Sequence, residues 1–185
     1  MKNNLLLSQI KVDKASYLRE GNILNHEYFS IEKIKLATIW ENKFAVNKIN
    51  ETNYEAIWTS GNKAYNLLVE SESLIFLGTL KGYFYFSINI DKVNFNSDKY
   101  YDLRTLNPLL SQTELTLLTT AQGINYWHKK NMFCGNCGYK TKSDDTGNSR
   151  ICINRKCNYK IFPRLDPAVI MLITYKDNCL LGRQK

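Results

Sequence analysis

No glutamate follows Glu114, and no two glutamates are adjacent anywhere in the 185 residues. The later part of the chain therefore lacks the clustered glutamates that hold divalent cations against a phosphate. No apolar run reaches the ~18 residues a membrane-spanning helix needs. The opening Met1-Lys-Asn-Asn-Leu-Leu-Leu7 is too short an apolar stretch for an export signal, so the expected compartment is the cytoplasm, with reduced thiols. No internal repeat is visible. Acidic residues are scarce where bases are dense. Between Lys129 and Arg164 nine lysines and arginines face only Asp144 and Asp145, in a chain of net charge +8. Two readings of that excess stay open: charge compensation with solubility, or a surface that attracts phosphates or nucleic acid.

Cysteines are also few, but four of the five lie together. Phe133-Cys-Gly-Asn-Cys-Gly138 is answered by Cys152 and Cys157, giving Cys-x2-Cys-x14-Cys-x4-Cys. This spacing predicts a structural zinc ribbon with Cys134, Cys137, Cys152 and Cys157 as ligands. Two disulfides or free thiols are the alternative. The wider second pair requires its knuckle to bulge. Gly147 supplies the return turn. His128, six residues before Cys134, would be a fifth ligand, so a packing or hydrogen-bonding role is expected instead. Cys179, inside an apolar run, reads as a buried structural thiol.

The elements predict an α+β chain, a small mixed domain with an antiparallel sheet. Ile31 to Val46 is apolar without a clean period. Ala56–Trp58, Tyr65–Val69 and Ser73–Gly78 read as strands. Lys81-Gly82 turns the last of these into the alternating Tyr83–Ile90, whose aromatics are assigned to a core rather than to base stacking. Leu109 to Lys130 reads as a helix, with Ser111 and Glu114 as a capping box. Phe162-Pro-Arg-Leu-Asp-Pro167 is a stiff exit. Ala168–Thr174 and Cys179–Arg183 are expected to pair as a hairpin about Lys176-Asp-Asn178. The expected divisions are a domain over residues 1–108, a linking helix over 109–131, a zinc ribbon over 132–163, and an incomplete further domain over 164–185.

From Asp102 onward the chain resembles the NADH pyrophosphatase family of Nudix hydrolases. The runs that carry the resemblance are Ala121-Gln-Gly-Ile-Asn-Tyr-Trp-His128, Phe133–Gly138, Phe162-Pro-Arg-Leu-Asp-Pro-Ala-Val-Ile-Met171 and Leu180-Leu-Gly-Arg-Gln-Lys185. Val12–Arg19 and Ile75–Gly78 resemble that family's amino-terminal domain more weakly. The resemblance implies hydrolysis of the pyrophosphate of NAD(H), free or capping RNA, by a Nudix box whose glutamates bind Mg²⁺ or Mn²⁺. That box is absent from these residues. The expectation is therefore an amino-terminal domain, a zinc ribbon and the first hairpin of a Nudix domain, inactive alone and without catalytic residues. It implies that Phe162 and Ile170 line the nicotinamide side, though packing at the ribbon exit is an equal alternative for both. A complementary Nudix half or a homodimer is the implied partner. The rival classes are a zinc-ribbon module that binds RNA or nucleotides, and a structural dimerisation piece.

Overall fold

In a computed structural model of the chain, residues 12–19, 23–27, 29–91, 99–164, 166 and 170–182 are described. The chain is α+β. Its main sheet contains β1 (Ile34–Trp40), β2 (Lys43–Asn50), β3 (Asn53–Ala56), β4 (Ile75–Leu80) and β5 (Tyr83–Asn89), with β6 (Tyr100–Tyr101) added to β2. The order is β3-β2-β1-β5-β4. All pairings are antiparallel except the central one, where β1 runs parallel to β5 with Leu36 opposite Phe86. That pair departs from the fully antiparallel sheet the sequence suggested. The hairpin turn falls at Lys81-Gly82 as expected, both residues having positive φ.

Each central strand is buried on both faces, and this explains the missing period. Ile34 and Leu36 of β1 point to one side with Phe84, Phe86 and Ile88 of β5, against Ala64 and Leu68 of α1 (Gly61–Glu70). Ala37 and Ile39 point the other way with Ile75 and Leu77 of β4. They meet α2 (Leu103–Leu106) and α3 (Gln112–Lys130) through Leu103, Leu106, Leu117, Leu118 and Ala121. Strands covered on both sides read as continuous apolar runs. Tyr65–Val69 is a correction: it lies in α1, not in a strand. The four-residue step from Ala64 to Leu68 places both on one helical face, while Val69 is exposed.

The cap of α3 holds in altered form. Ser111 Oγ accepts from the Glu114 N–H at 3.3 Å. The Glu114 carboxylate does not return to the Ser111 backbone; it accepts from Ser111 Oγ at 2.6 Å and from the Ala56 N–H at 2.8 Å. The capping residue thus fastens α3 to the end of β3.

Beyond α3, β7 (Thr141–Asp144), β8 (Ser149–Cys152) and β9 (Lys160–Ile161) form a three-stranded antiparallel sheet. The final hairpin is shorter than expected. Only β10 (Thr174–Tyr175) and β11 (Asn178–Cys179) pair, and Ala168 and Val169 lie outside the described residues. Cys179 is exposed, not buried, because nothing among the described residues covers this hairpin.

Candidate metal centre

Two knuckles bring the four cysteines together. In the first, the Cys134 N–H donates to the Tyr139 carbonyl at 2.7 Å, and the Gly138 N–H donates back to the Cys134 carbonyl at 2.9 Å. Gly138 takes φ +74° to close this turn. In the second, the Cys157 and Asn158 N–H groups both donate to the Asn154 carbonyl at 2.9 Å. Asn158 occupies the left-handed region at φ 46°, the place Gly138 has in the first knuckle. The two extra residues are taken up before the turn, where Ile153 stands half exposed. This is the outward bulge the spacing requires.

The four sulfurs lie within 4.8 Å of one another. Cys134 Sγ is 3.9 Å from Cys157 Sγ, and Cys137 Sγ is 3.4 Å from Cys152 Sγ. Thiolates about 2.3 Å from one zinc ion stand about 3.8 Å apart along the edges of a tetrahedron. The cluster therefore fits one metal ion. No disulfide joins any of the five cysteines, and the four clustered sulfurs stand in an arrangement compatible with one metal ion. Asn136 Nδ2 donates to Cys157 Sγ at 3.4 Å and brings that thiol down to about 7, while burial pushes Cys152 up to about 12. A cation lowers all four together, since a coordinating thiol gives up its proton.

His128 is not a ligand. Its Nε2–H donates to the Gly147 carbonyl at 2.7 Å, and its Nδ1 accepts from Arg150 Nη1 at 2.8 Å. Those two partners fix the neutral tautomer with the proton on Nε2. Burial lowers its pKa; the Gly147 carbonyl opposes this and Arg150 adds to it. Gly147 does more than turn the chain. A Cβ there would stand 2.2 Å from the Leu74 carbonyl oxygen, at φ +82°. With Asn148 Nδ2 donating to the Phe76 carbonyl at 3.0 Å, this backbone approach docks the ribbon on β4.

Phe162 is 58% exposed and lines a cavity of about 680 Å³ with Trp127, Ile124 and Arg19. Ile170 is fully exposed and does not line that cavity. Five buried polar residues were not singled out in the sequence: Ser87, Asn125, Thr141, Ser149 and Arg150. Asn125 carried a signal, because it continues the Leu118–Ala121 stripe by one helical turn as a polar residue on an apolar face. Arg150 carried none, being one base among nine. Lys160 meets both acids of the ribbon, Asp144 at 2.8 Å and Asp145 at 2.7 Å.

The four clustered cysteines, on a ribbon docked against an α+β domain, are compatible with structural metal binding. No protein-family model matches the chain. Nudix hydrolase 19, chloroplastic, of Arabidopsis thaliana is 30% identical over 132 residues, which is 63% of this chain and 30% of the relative. The NAD-capped RNA hydrolase NUDT12 of Homo sapiens is 36% identical over 84 residues, covering 41% of this chain and 18% of the relative. The mitochondrial NAD(P)H pyrophosphatase NUDT13 of Homo sapiens is 33% identical over 85 residues, covering 46% and 24%. The chain's homologues are thus NAD(P)H pyrophosphatases and NAD-capped RNA hydrolases of the Nudix type, and the resemblance to the NADH pyrophosphatase family holds. The chain spans less than a third of the length of these relatives. No helix among the described residues is long and apolar enough to cross a membrane.

Proposed function

We propose that these residues form the amino-terminal domain and zinc ribbon of an NADH pyrophosphatase-type Nudix hydrolase, and that they are not catalytic by themselves. The observation that carries the reading is the four-sulfur cluster directly after α3, in a chain whose relatives are enzymes of that type. Zn²⁺ held by Cys134, Cys137, Cys152 and Cys157 would fix the ribbon fold and do no chemistry, because four protein ligands leave no open position. The intact protein's substrate would be the pyrophosphate of NAD(H), free or as an RNA cap. Its hydrolysis needs Mg²⁺ or Mn²⁺ on glutamates that these residues lack.

The last hairpin supports the same reading. Ile170, Met171, Leu172, Leu180 and Leu181 are each at least 70% exposed. In this reading the rest of a Nudix fold covers them, in the same chain or in a partner polypeptide. The test is to incubate the zinc-loaded chain with NADH and Mn²⁺, alone and with a polypeptide carrying a complete Nudix box. AMP release is expected only in the second case. Turnover by the chain alone that survives repurification would overturn the reading.

A further inference from the structure

We propose that the cleft between α3 and the ribbon binds a small organic phosphate. The cleft holds about 600 Å³, within the ~300–1,000 Å³ range of small-molecule sites. Its walls come from α3, from the ends of β4 and β5, and from the ribbon strands. It is separate from the cysteine cluster and contains none of the four sulfurs.

Two buried groups point to an anion. Asn125 is 1% exposed; its Oδ1 accepts from Asn89 Nδ2, which leaves Asn125 Nδ2 as a donor with no partner. A buried amide donor left unpaired is rare, and a ligand is one way of satisfying it. Arg150 is 6% exposed and has no carboxylate partner among the described residues. Its Nε donates to Thr141 Oγ1 at 2.7 Å, Nη2 to the Thr141 carbonyl at 2.8 Å, and Nη1 to His128 Nδ1 at 2.8 Å. These contacts hold the guanidinium in place with neutral acceptors and use three of its five N–H groups. Its charge stays uncompensated, whereas buried charges are ordinarily paired.

The rim has the same sign. Lys140 and Lys142 join Arg150 around the cleft against one carboxylate, Glu72, with Lys129 also on the rim but donating to Asn42 Oδ1 at 3.2 Å. Lys140 and Lys142 make no ion pair among the described residues, because both ribbon acids are taken by Lys160. Donors without acceptors, in a low-dielectric recess, suit phosphate oxygens. Ile75 and Met132 give the cleft an apolar wall, and its volume exceeds that of a bare phosphate, so the ligand carries an organic part.

This site does not rest on the hydrolase reading, and its test does not measure turnover. Calorimetric titration of the zinc-loaded chain at low ionic strength would compare adenosine 5′-monophosphate, ribose 5-phosphate, inorganic phosphate and adenosine. Both organic phosphates are expected to bind, inorganic phosphate more weakly, and adenosine not at all. Lys142→Glu should weaken binding about tenfold or more, as loss of a charge-assisted contact does. Asn125→Leu should weaken it about fivefold, the worth of a neutral hydrogen bond. Lys156→Glu, which changes net charge equally on the exposed second knuckle, should leave binding unchanged. Amide-exchange protection of both the main sheet and the ribbon confirms that each variant is folded; should Asn125→Leu fail that check, Lys142→Glu decides alone. Equal loss with Lys156→Glu, adenosine binding as well as its phosphate, inorganic phosphate binding as tightly as the organic ones, or no binding by any phosphate would each overturn the proposal.

Discussion

Between Ala15 and Ala121 the buried side chains of the described residues are hydrocarbon or aromatic, with Ser87 the polar exception. Between Cys134 and Cys152 they are cysteine, threonine, serine and arginine, without one aliphatic or aromatic side chain. The first region is stable because a sheet covered by helices on both faces removes a large apolar area from water. The second has no such core, and its sheet edges meet through hydrogen bonds and four sulfurs. One polypeptide therefore contains two units with different sources of stability, joined at Gly147 and Asn148.

Metal removal tests this difference most strongly. Structural zinc contributes on the order of 10–16 kcal/mol to modules of this kind. Chelation, or Cys134→Ser, should unfold the ribbon and leave the main sheet folded. Amide exchange should show lost protection in Thr141–Cys152 and kept protection in β1 and β5. Simultaneous loss of both would mean that the two units are one. The converse change is Phe86→Ala. Phe86 is wholly buried and packs 5.2 Å from Phe76, centroid to centroid. The substitution should cost about 3–5 kcal/mol, read as a shift in chemical denaturation, while the zinc content of the folded protein stays unchanged.

Gly147→Ala probes the join itself. A left-handed alanine costs roughly 1–2 kcal/mol and overpacking roughly 1–3 more, so a loss of about 2–5 kcal/mol is expected in the docking of the ribbon. The Asn148 side-chain NH2, which donates to the Phe76 carbonyl, should exchange faster, with zinc retained. Unchanged docking would show that the Leu74 carbonyl yields easily. The smallest effect concerns pH. His128 is held neutral, below its ordinary 6.5. Its contribution is present in full above about 6.5, where folded and unfolded imidazoles are both neutral. It is lost as pH falls from there through the lower folded value, because only the unfolded imidazole then takes up a proton. The difference between wild-type and His128→Gln stability curves from pH 7.5 to 5.5 should show this fall in the wild type alone. Parallel curves would remove His128 from the account.

The ribbon was the more legible of the two regions. Its cysteine spacing, the bulge of its second knuckle and the turn at Gly147 all depend on local chemistry of a few residue types. The sheet was less so. Burial on both faces erased the alternation that marks β1 and β4, and the parallel pairing of β1 with β5 leaves no local trace. Tyr65–Val69 showed apolar residues but only a turn and a half of helical period, too little to separate from a strand. Neither Arg150 nor the near contact of Gly147 with Leu74 could be read from the sequence, because both depend on partners distant along the chain. The cap at Ser111 was legible as a cap; its tie to Ala56 was not.

The bond from Asn148 to Phe76 spans 72 residues. A contact of that separation has a high loop-closure cost unless the intervening chain is already shortened by structure. The ribbon's own contacts are local, and so are those of α3. Assembly in that order follows: knuckles and helix first, the β1–β5 pairing next, and the seat of Gly147 against Leu74 last. The ribbon, which follows the sheet in the sequence, is then among the first segments to take shape, and the interface it forms is the step that registers whether the sheet beneath it is correctly built. Pulse-labelled exchange during refolding would show protection of the Asn148 side-chain NH2, the donor to the Phe76 carbonyl, appearing after the backbone protection of both units.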